Sequence, residues 1–154
     1  VVVSVVQRQG DEVELWKQLS VLVAEVSNQL DKKLGRSVGV GLSEFLALNT
    51  LASGDPAGVR MQLLADTLGL NQSSVSRLVT RLEERGLASR STPEGDRRGV
   101  LATITERGRA VNREANSLFG KEVALALDLA SIDGRTATVV ARLRYSPLDS
   151  PEGD

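Results

Sequence analysis

Three arginines stand four residues apart in this chain, Arg77, Arg81 and Arg85, just downstream of the run Asn71-Gln72-Ser73-Ser74. On a helix that spacing lines the guanidiniums along one flank, where like charges oppose one another by a few tenths of a kcal/mol per pair. Glu83 and Glu84 relieve part of that repulsion, and an external polyanion would relieve the rest. A guanidinium is a planar fork of donors that matches phosphate oxygens and guanine edges. The short donors at the helix start lie beside free backbone N–H groups at the positive end of the dipole. That setting suits a phosphate, or a base edge in a major groove; the alternative is that the same residues serve only as helix caps. Further along, Asp96-Arg97-Arg98 sits between Gly95 and Gly99, a small turn with two more guanidiniums. Such a tip can lay an arginine along a minor groove, with Asp96 pairing Arg98 to set its direction.

The charge distribution points the same way. The 154 residues carry 19 basic and 20 acidic side chains, so the net charge is −1. Between residues 71 and 113, however, nine arginines face five acids. A basic stripe in an otherwise acidic chain suggests a polyanion held on one face, although charge alone is equally met by a solvated helix flank. The absences are as informative. Zero Cys and zero His remove disulfides, thiol sensing, Ser-His catalysis and His- or Cys-ligated zinc. No metal and no cofactor is expected. An enzyme would have to work with carboxylates, Lys, Arg or Tyr. The adjacent acids Glu83/Glu84 and Asp11/Glu12 point in different directions on a helix and make a poor acid–base pair. The chain is therefore expected not to be an enzyme. Its Val-rich start is far shorter than the ~20 apolar residues of a spanning helix and lacks an export-signal pattern. It is expected to be a frayed end or an arm, in a cytoplasmic protein with no membrane partner.

The elements that must position these groups follow from periodicity. Leu15, Leu19, Leu22, Val26 and Leu30 stripe a long helix over 11–34. Ser43 is a candidate cap for a helix carrying Phe45, Leu46, Leu48 and Leu51. A short helix over 60–68 follows the turn 53–58. Gly69-Leu70-Asn71 then separates it from a helix over 72–85 whose Val75, Leu78, Val79 and Leu82 form one apolar face. Gly86 stops that helix. Residues 87–91 and 100–105 alternate as a β-hairpin, and a helix to 129 follows. Ser131 is the candidate cap of a last helix to 144 with Val139, Val140 and Leu143 inward. The tail 146–154 reads as loose.

A helix, a Gly-containing three-residue turn and a second helix with one apolar face is the helix-turn-helix pattern, and the following hairpin makes it a winged one. The rival is a winged helix used only for protein interaction without specific DNA binding. Salt dependence of duplex binding separates the two.

The segments Leu63-Leu64-Ala65-Asp66-Thr67-Leu68-Gly69-Leu70, Ser74 to Leu87, Asp96-Arg97-Arg98 and Ile104-Thr105-Glu106-Arg107-Gly108-Arg109 resemble the MarR family of bacterial transcriptional regulators over about 11–145. The resemblance implies a mainly α fold with a small β wing, a homodimer, a near-palindromic duplex DNA operator, and repression released by a small organic ligand. By position, Gln72, Ser73, Ser74, Ser76, Arg77, Thr80 and Arg81 would face the major groove. Arg97 and Arg98 would be the wing-tip contacts, with Asp96 orienting Arg98. The expected organisation is one domain over 1–154. Dimerisation helices occupy 11–36 and 105–145, and a winged DNA-binding lobe occupies 43–104. An aromatic or phenolic acid is the candidate effector, with Trp16 and Phe45 the candidate lining residues. With only four aromatics in the chain, the simpler reading is that both are core. Two departures stand out. Ala102 replaces a common Val and is expected to loosen a sheet edge, and Gly134 is expected to weaken the last helix by roughly a kcal/mol.

Overall fold

The computed structural model describes residues 2–95 and 99–145. The expected wing-tip contacts Arg97 and Arg98, the orienting Asp96 and the tail 146–154 lie outside the described residues. In chain order the elements are α1 (Val2–Ser37), α2 (Leu42–Ser53), β1 (Val59–Arg60), α3 (Met61–Leu68), α4 (Gln72–Glu84), β2 (Ala88–Ser91), β3 (Leu101–Ile104), α5 (Glu106–Ser131) and α6 (Ala137–Tyr145). The fold is thus mainly helical with a small antiparallel sheet, as expected. The chain forms two compact units. One comprises the chain up to Gln29 and from Lys121 onward, the other Leu30–Gly120.

In the Leu30–Gly120 unit, Leu34, Val40, Phe45, Leu48, Leu64, Val75, Leu78, Leu82 and Leu87 are buried in one core. Each such side chain contributes about 1.5–3 kcal/mol on leaving water. The periodicities of 42–53, 61–68 and 72–84 therefore become three helices sharing that core. Ser43 does not cap α2. The cap is Gly41, whose N–H donates to Glu44 Oε2 at 3.2 Å, while Leu42 N–H donates to Asp31 Oδ1 at 2.8 Å. Carboxylates from the first turn and from α1 thus do the work of the missing hydroxyl.

The expected hairpin is present, but it belongs to a three-stranded sheet of order β1-β3-β2. Ala88 pairs with Ile104 and Arg90 with Ala102, while Val59 pairs with Ala102 from the other side. A two-residue strand is too short to show alternation, so nothing in the sequence distinguishes β1 from a loop. Ala102 consequently sits in the central strand, fully buried, and not at an edge. Gly58 approaches close by with φ +125°, and a Cβ there would lie 2.9 Å from Leu101 Cβ. Thr105 caps α5, accepting from Gly108 N–H at 3.0 Å and donating to the Gly86 carbonyl at 2.7 Å.

In the other unit, Leu22, Ala130, Val139 and Val140 form a small core with Leu19, Val26 and Leu127. The helix α1 begins at Val2 rather than Asp11, because extending an established helix adds one hydrogen bond per residue fixed. The last helix starts at Ala137, not at Ser131. Before it, the Asp133 carbonyl accepts from Thr136 N–H at 3.0 Å and Ala137 N–H at 2.8 Å. Gly134 therefore lies in a turn, where its helix penalty does not apply. The buried Thr136 hydroxyl donates to the Ala130 carbonyl at 2.7 Å, and Gln18 Oε1 accepts from Val139 N–H at 3.2 Å. Val139 and Val140 point inward as expected, whereas Leu143 is exposed.

Candidate nucleic-acid interface

The turn between α3 and α4 is built by three residues. Gly69 takes the left-handed conformation at φ 65°, which lets Leu70 N–H reach the Ala65 carbonyl at 2.9 Å. Asn71 then caps α4, its Oδ1 accepting from Ser74 N–H at 2.8 Å and from Ser73 Oγ at 2.9 Å. Ala65 is buried in the core the two helices share, and its small side chain permits their close approach. With Val75, Leu78, Val79 and Leu82 all buried, the opposite side of α4 is fixed in solvent. Gln72, Ser73, Ser76, Arg77, Thr80 and Arg81 are exposed there. Ser74 is the exception. It stands one turn before the buried Leu78, at the edge of the apolar face, and is half-buried.

The arginine flank is graded rather than uniform. Arg77 makes no ion pair among the described residues. Arg81 Nε lies 3.7 Å from Glu44 Oε1, and Arg85 Nη1 lies 2.8 Å from Glu44 Oε2. Arg85 also donates to the Gly39 carbonyl. An internal carboxylate from α2 thus supplies the counter-charge that the sequence assigns to an external polyanion for two of the three arginines. Glu83 does not serve that flank either; it pairs with Arg90 of β2 at 2.5 Å.

Arg90 is the positioning residue that sequence reasoning misses. Its backbone N–H donates to Glu83 Oε1 at 2.8 Å. The guanidinium donates to the Ser76 carbonyl at 2.6 Å, to Ser76 Oγ at 3.2 Å and to Thr80 Oγ1 at 3.1 Å. One side chain therefore ties the sheet to successive turns of α4. Glu83 lies on α4 and Arg90 on β2, with the helix stop at Gly86 between them, so no single helical or strand period connects the pair. Arg90, Gln62, Gln72 and Ser76, with the apolar Met61 and Val100, line a cleft of about 430 Å³. Gln72 Nε2 donates to Gln62 Oε1, joining α4 to α3.

The candidate effector residues part company. Phe45 is buried in the core, its ring 4.8 Å from that of Phe119 and tilted by 45°. Trp16, read more simply as core, is 68% exposed. It lines an open apolar groove of about 540 Å³ with Leu15, Leu19, Val139 and Leu143, flanked by Glu12 and Arg142. Among the described residues no cluster of acids could hold a metal ion, and no helix is long and apolar enough to cross a membrane.

Comparison with known proteins places this geometry. Residues 38–99 match the model of the MarR family. The transcriptional repressor MprA of Escherichia coli (strain K12) is 30% identical over 82 residues, which is 53% of this chain and 47% of that protein. The chain thus spans about half the length of the curated relatives it matches. A MarR family transcriptional regulator from Streptomyces coelicolor, solved in complex with DNA, has the same fold: TM-score 0.71 and 24% identity, over 93% of this chain and 91% of that one. CouR from Rhodococcus jostii RHA1, solved bound to p-coumaroyl-CoA, is 30% identical with TM-score 0.61, over 83% of this chain and 85% of that one. A helix-turn-helix with a three-stranded sheet, matched by the family model from the end of α1 to the β2–β3 connection and by a relative across most of its length, assigns the chain: it belongs to the MarR family.

Proposed function

We propose that this protein is a transcriptional regulator that binds duplex DNA as a homodimer, with α4 in the major groove. The observation that carries the proposal is the division of α4. Its apolar face is buried, which leaves Gln72, Ser73, Ser76, Arg77, Thr80 and Arg81 as a polar, cationic ridge in solvent. A ridge of that kind offers guanidinium, hydroxyl and amide donors to phosphates and base edges. The β2–β3 connection supplies the wing, with Arg97 and Arg98 as minor-groove contacts and Asp96 orienting Arg98.

One such lobe reads too few base pairs to select a site, so two copies on a near-palindrome are required. The helices outside the lobe supply the means. Val13, Trp16, Val23, Leu129, Leu143 and Tyr145 are large apolar side chains left in solvent on the unit that holds them. Packing against a second copy removes that surface from water. Repression is the mode by analogy with the repressor among the relatives, and a small organic acid with an aromatic group is the effector class. The domain organisation follows: one chain, with a winged lobe for DNA and terminal helices for pairing.

The test is selection of bound sequences from random duplexes, followed by a salt titration of the selected site. Phosphate contacts make log K fall with log salt by about 0.9 per contact. A binding curve flat in salt overturns the proposal. Sedimentation at micromolar concentration should give a dimer, and Trp16→Glu should give a monomer. Release of the selected duplex by a panel of aromatic acids tests the effector class.

A further inference from the structure

We infer that Glu44 is a specificity-determining residue, a built-in competitor that keeps the rear half of the α4 arginine flank off the DNA backbone. The inference rests on the DNA-binding reading above and goes beyond it, because Glu44 lies on α2 and touches no base or phosphate in that reading.

The geometry is asymmetric along the flank. Arg77, nearest the helix start, has no carboxylate partner among the described residues. Arg81 is 53% exposed, and its Nε is 3.7 Å from Glu44 Oε1, close enough to feel the charge but loosely held. Arg85 is held at 2.8 Å by Glu44 Oε2 and also by the Gly39 carbonyl. Glu44 itself is only 14% exposed. Its carboxylate is anchored by the Gly41 N–H at 3.2 Å, so its position is set by the start of α2 and not by the arginines. A fixed, shielded carboxylate is less screened by salt than a mobile surface one. Phosphate contacts carry affinity without sequence information, and base contacts carry the discrimination. An acid that holds Arg85 and partly neutralises Arg81 weakens their pull on the backbone and lowers binding to every duplex alike. It leaves the base-facing groups at the helix start untouched, and the ratio of specific to non-specific binding rises.

Glu44→Gln tests this, since the amide oxygen still accepts from Gly41 N–H while the charge is gone. Affinity for a random-sequence duplex should rise by roughly two- to fivefold, and the salt slope should steepen by about 0.9 to 1.8, one to two phosphates. The selected duplex should gain less, so the discrimination ratio falls. Glu114→Gln, an exposed α5 acid of equal charge, is the control for net charge alone. Equal behaviour of the two variants overturns the inference. Retention on heparin, a polyanion without bases, gives a readout independent of duplex binding. If the wild type ignores duplex DNA, the proposed function fails, while later elution of Glu44→Gln than Glu114→Gln still supports the role of Glu44, and co-elution overturns it. Should Glu44→Gln unfold, the arginines report instead. Arg77→Gln should flatten the heparin salt dependence more than Arg81→Gln, because Arg81 is already partly neutralised. Equal losses overturn the inference.

Discussion

Replacing Arg90 by alanine should loosen the recognition helix from the sheet without removing any proposed DNA contact. The guanidinium makes an ion pair with Glu83 at 2.5 Å and donates to the Ser76 carbonyl and the Thr80 hydroxyl at 2.6 and 3.1 Å. A hydrogen bond to a charged group is worth about 1.5–3 kcal/mol, whereas an exposed ion pair is worth about 1 or less. The side chains of Arg90 and Glu83 are 26% and 30% exposed, which places the pair between those limits. The contacts share one side chain and do not add. The Arg90 backbone N–H still satisfies Glu83 Oε1 in the variant. The expected loss is therefore about 1–2 kcal/mol, which for a chain of this length corresponds to about 2–8 °C in Tm. Urea unfolding at fixed protein concentration should show a lower midpoint with an unchanged slope. Arg90→Lys should recover only part of the loss, because an ammonium can reach Glu83 but cannot fork to two turns of the helix. Arg77→Ala is the counterpart. Exposed and without an ion pair among the described residues, it should leave stability within about 0.5 kcal/mol and weaken duplex binding. If Arg90→Ala unfolds at the wild-type urea concentration, or if Arg90→Lys restores the midpoint fully, the clamp is not what holds the helix.

Two glycines of α5 should respond to alanine with opposite signs. At Gly108 a Cβ would fall 2.1 Å from the Leu87 carbonyl oxygen, so Gly108→Ala should destabilise by about 1–3 kcal/mol despite the better helix propensity. At Gly120 nothing lies within 4 Å, and Gly120→Ala should stabilise by up to about 1 kcal/mol; in thermal melts, stabilisation by Gly108→Ala or destabilisation by Gly120→Ala would refute the corresponding assignment. In the other unit, hydrogen bonds from the Arg135 side chain and backbone hold the Asp133 carboxyl below the usual aspartate range. Such a group adds stability above its unfolded pKa of about 4 and loses it as pH falls through the lower folded value. Asp133→Asn should thus lower Tm at pH 7, with the difference from wild type shrinking below pH ~4. Arg98→Ala should weaken binding to all duplexes and flatten the salt slope by about one unit, whereas Ser73→Ala or Arg77→Ala should change which sequence is selected.

Much of the lobe was legible because it is local. The apolar spacing of Val75, Leu78, Val79 and Leu82, the Gly69 turn and the Asn71 cap each depend on neighbours a few residues away, and the exposed side of α4 follows from its buried side. Contacts that span the fold were not legible. Glu44 reaches Arg85 across 41 residues, and Arg90 reaches back to Ser76 across 14. Phe45 and Trp16 look alike as isolated aromatics, yet one is sealed against Phe119 and the other stands in solvent. The starts of α2 and α6 do not fall at Ser43 and Ser131, because carboxylates and turn carbonyls satisfy those ends, and such partners lie outside the capping residue itself. Composition and periodicity determined that this chain is a helical winged-helix candidate with a cationic helix, since turns of a helix and pleats of a strand repeat at fixed intervals in any chain. Which arginines of that helix remain free for a polyanion was decided only by tertiary structure, because the charge opposite each guanidinium comes from whichever distant element the core brings alongside it.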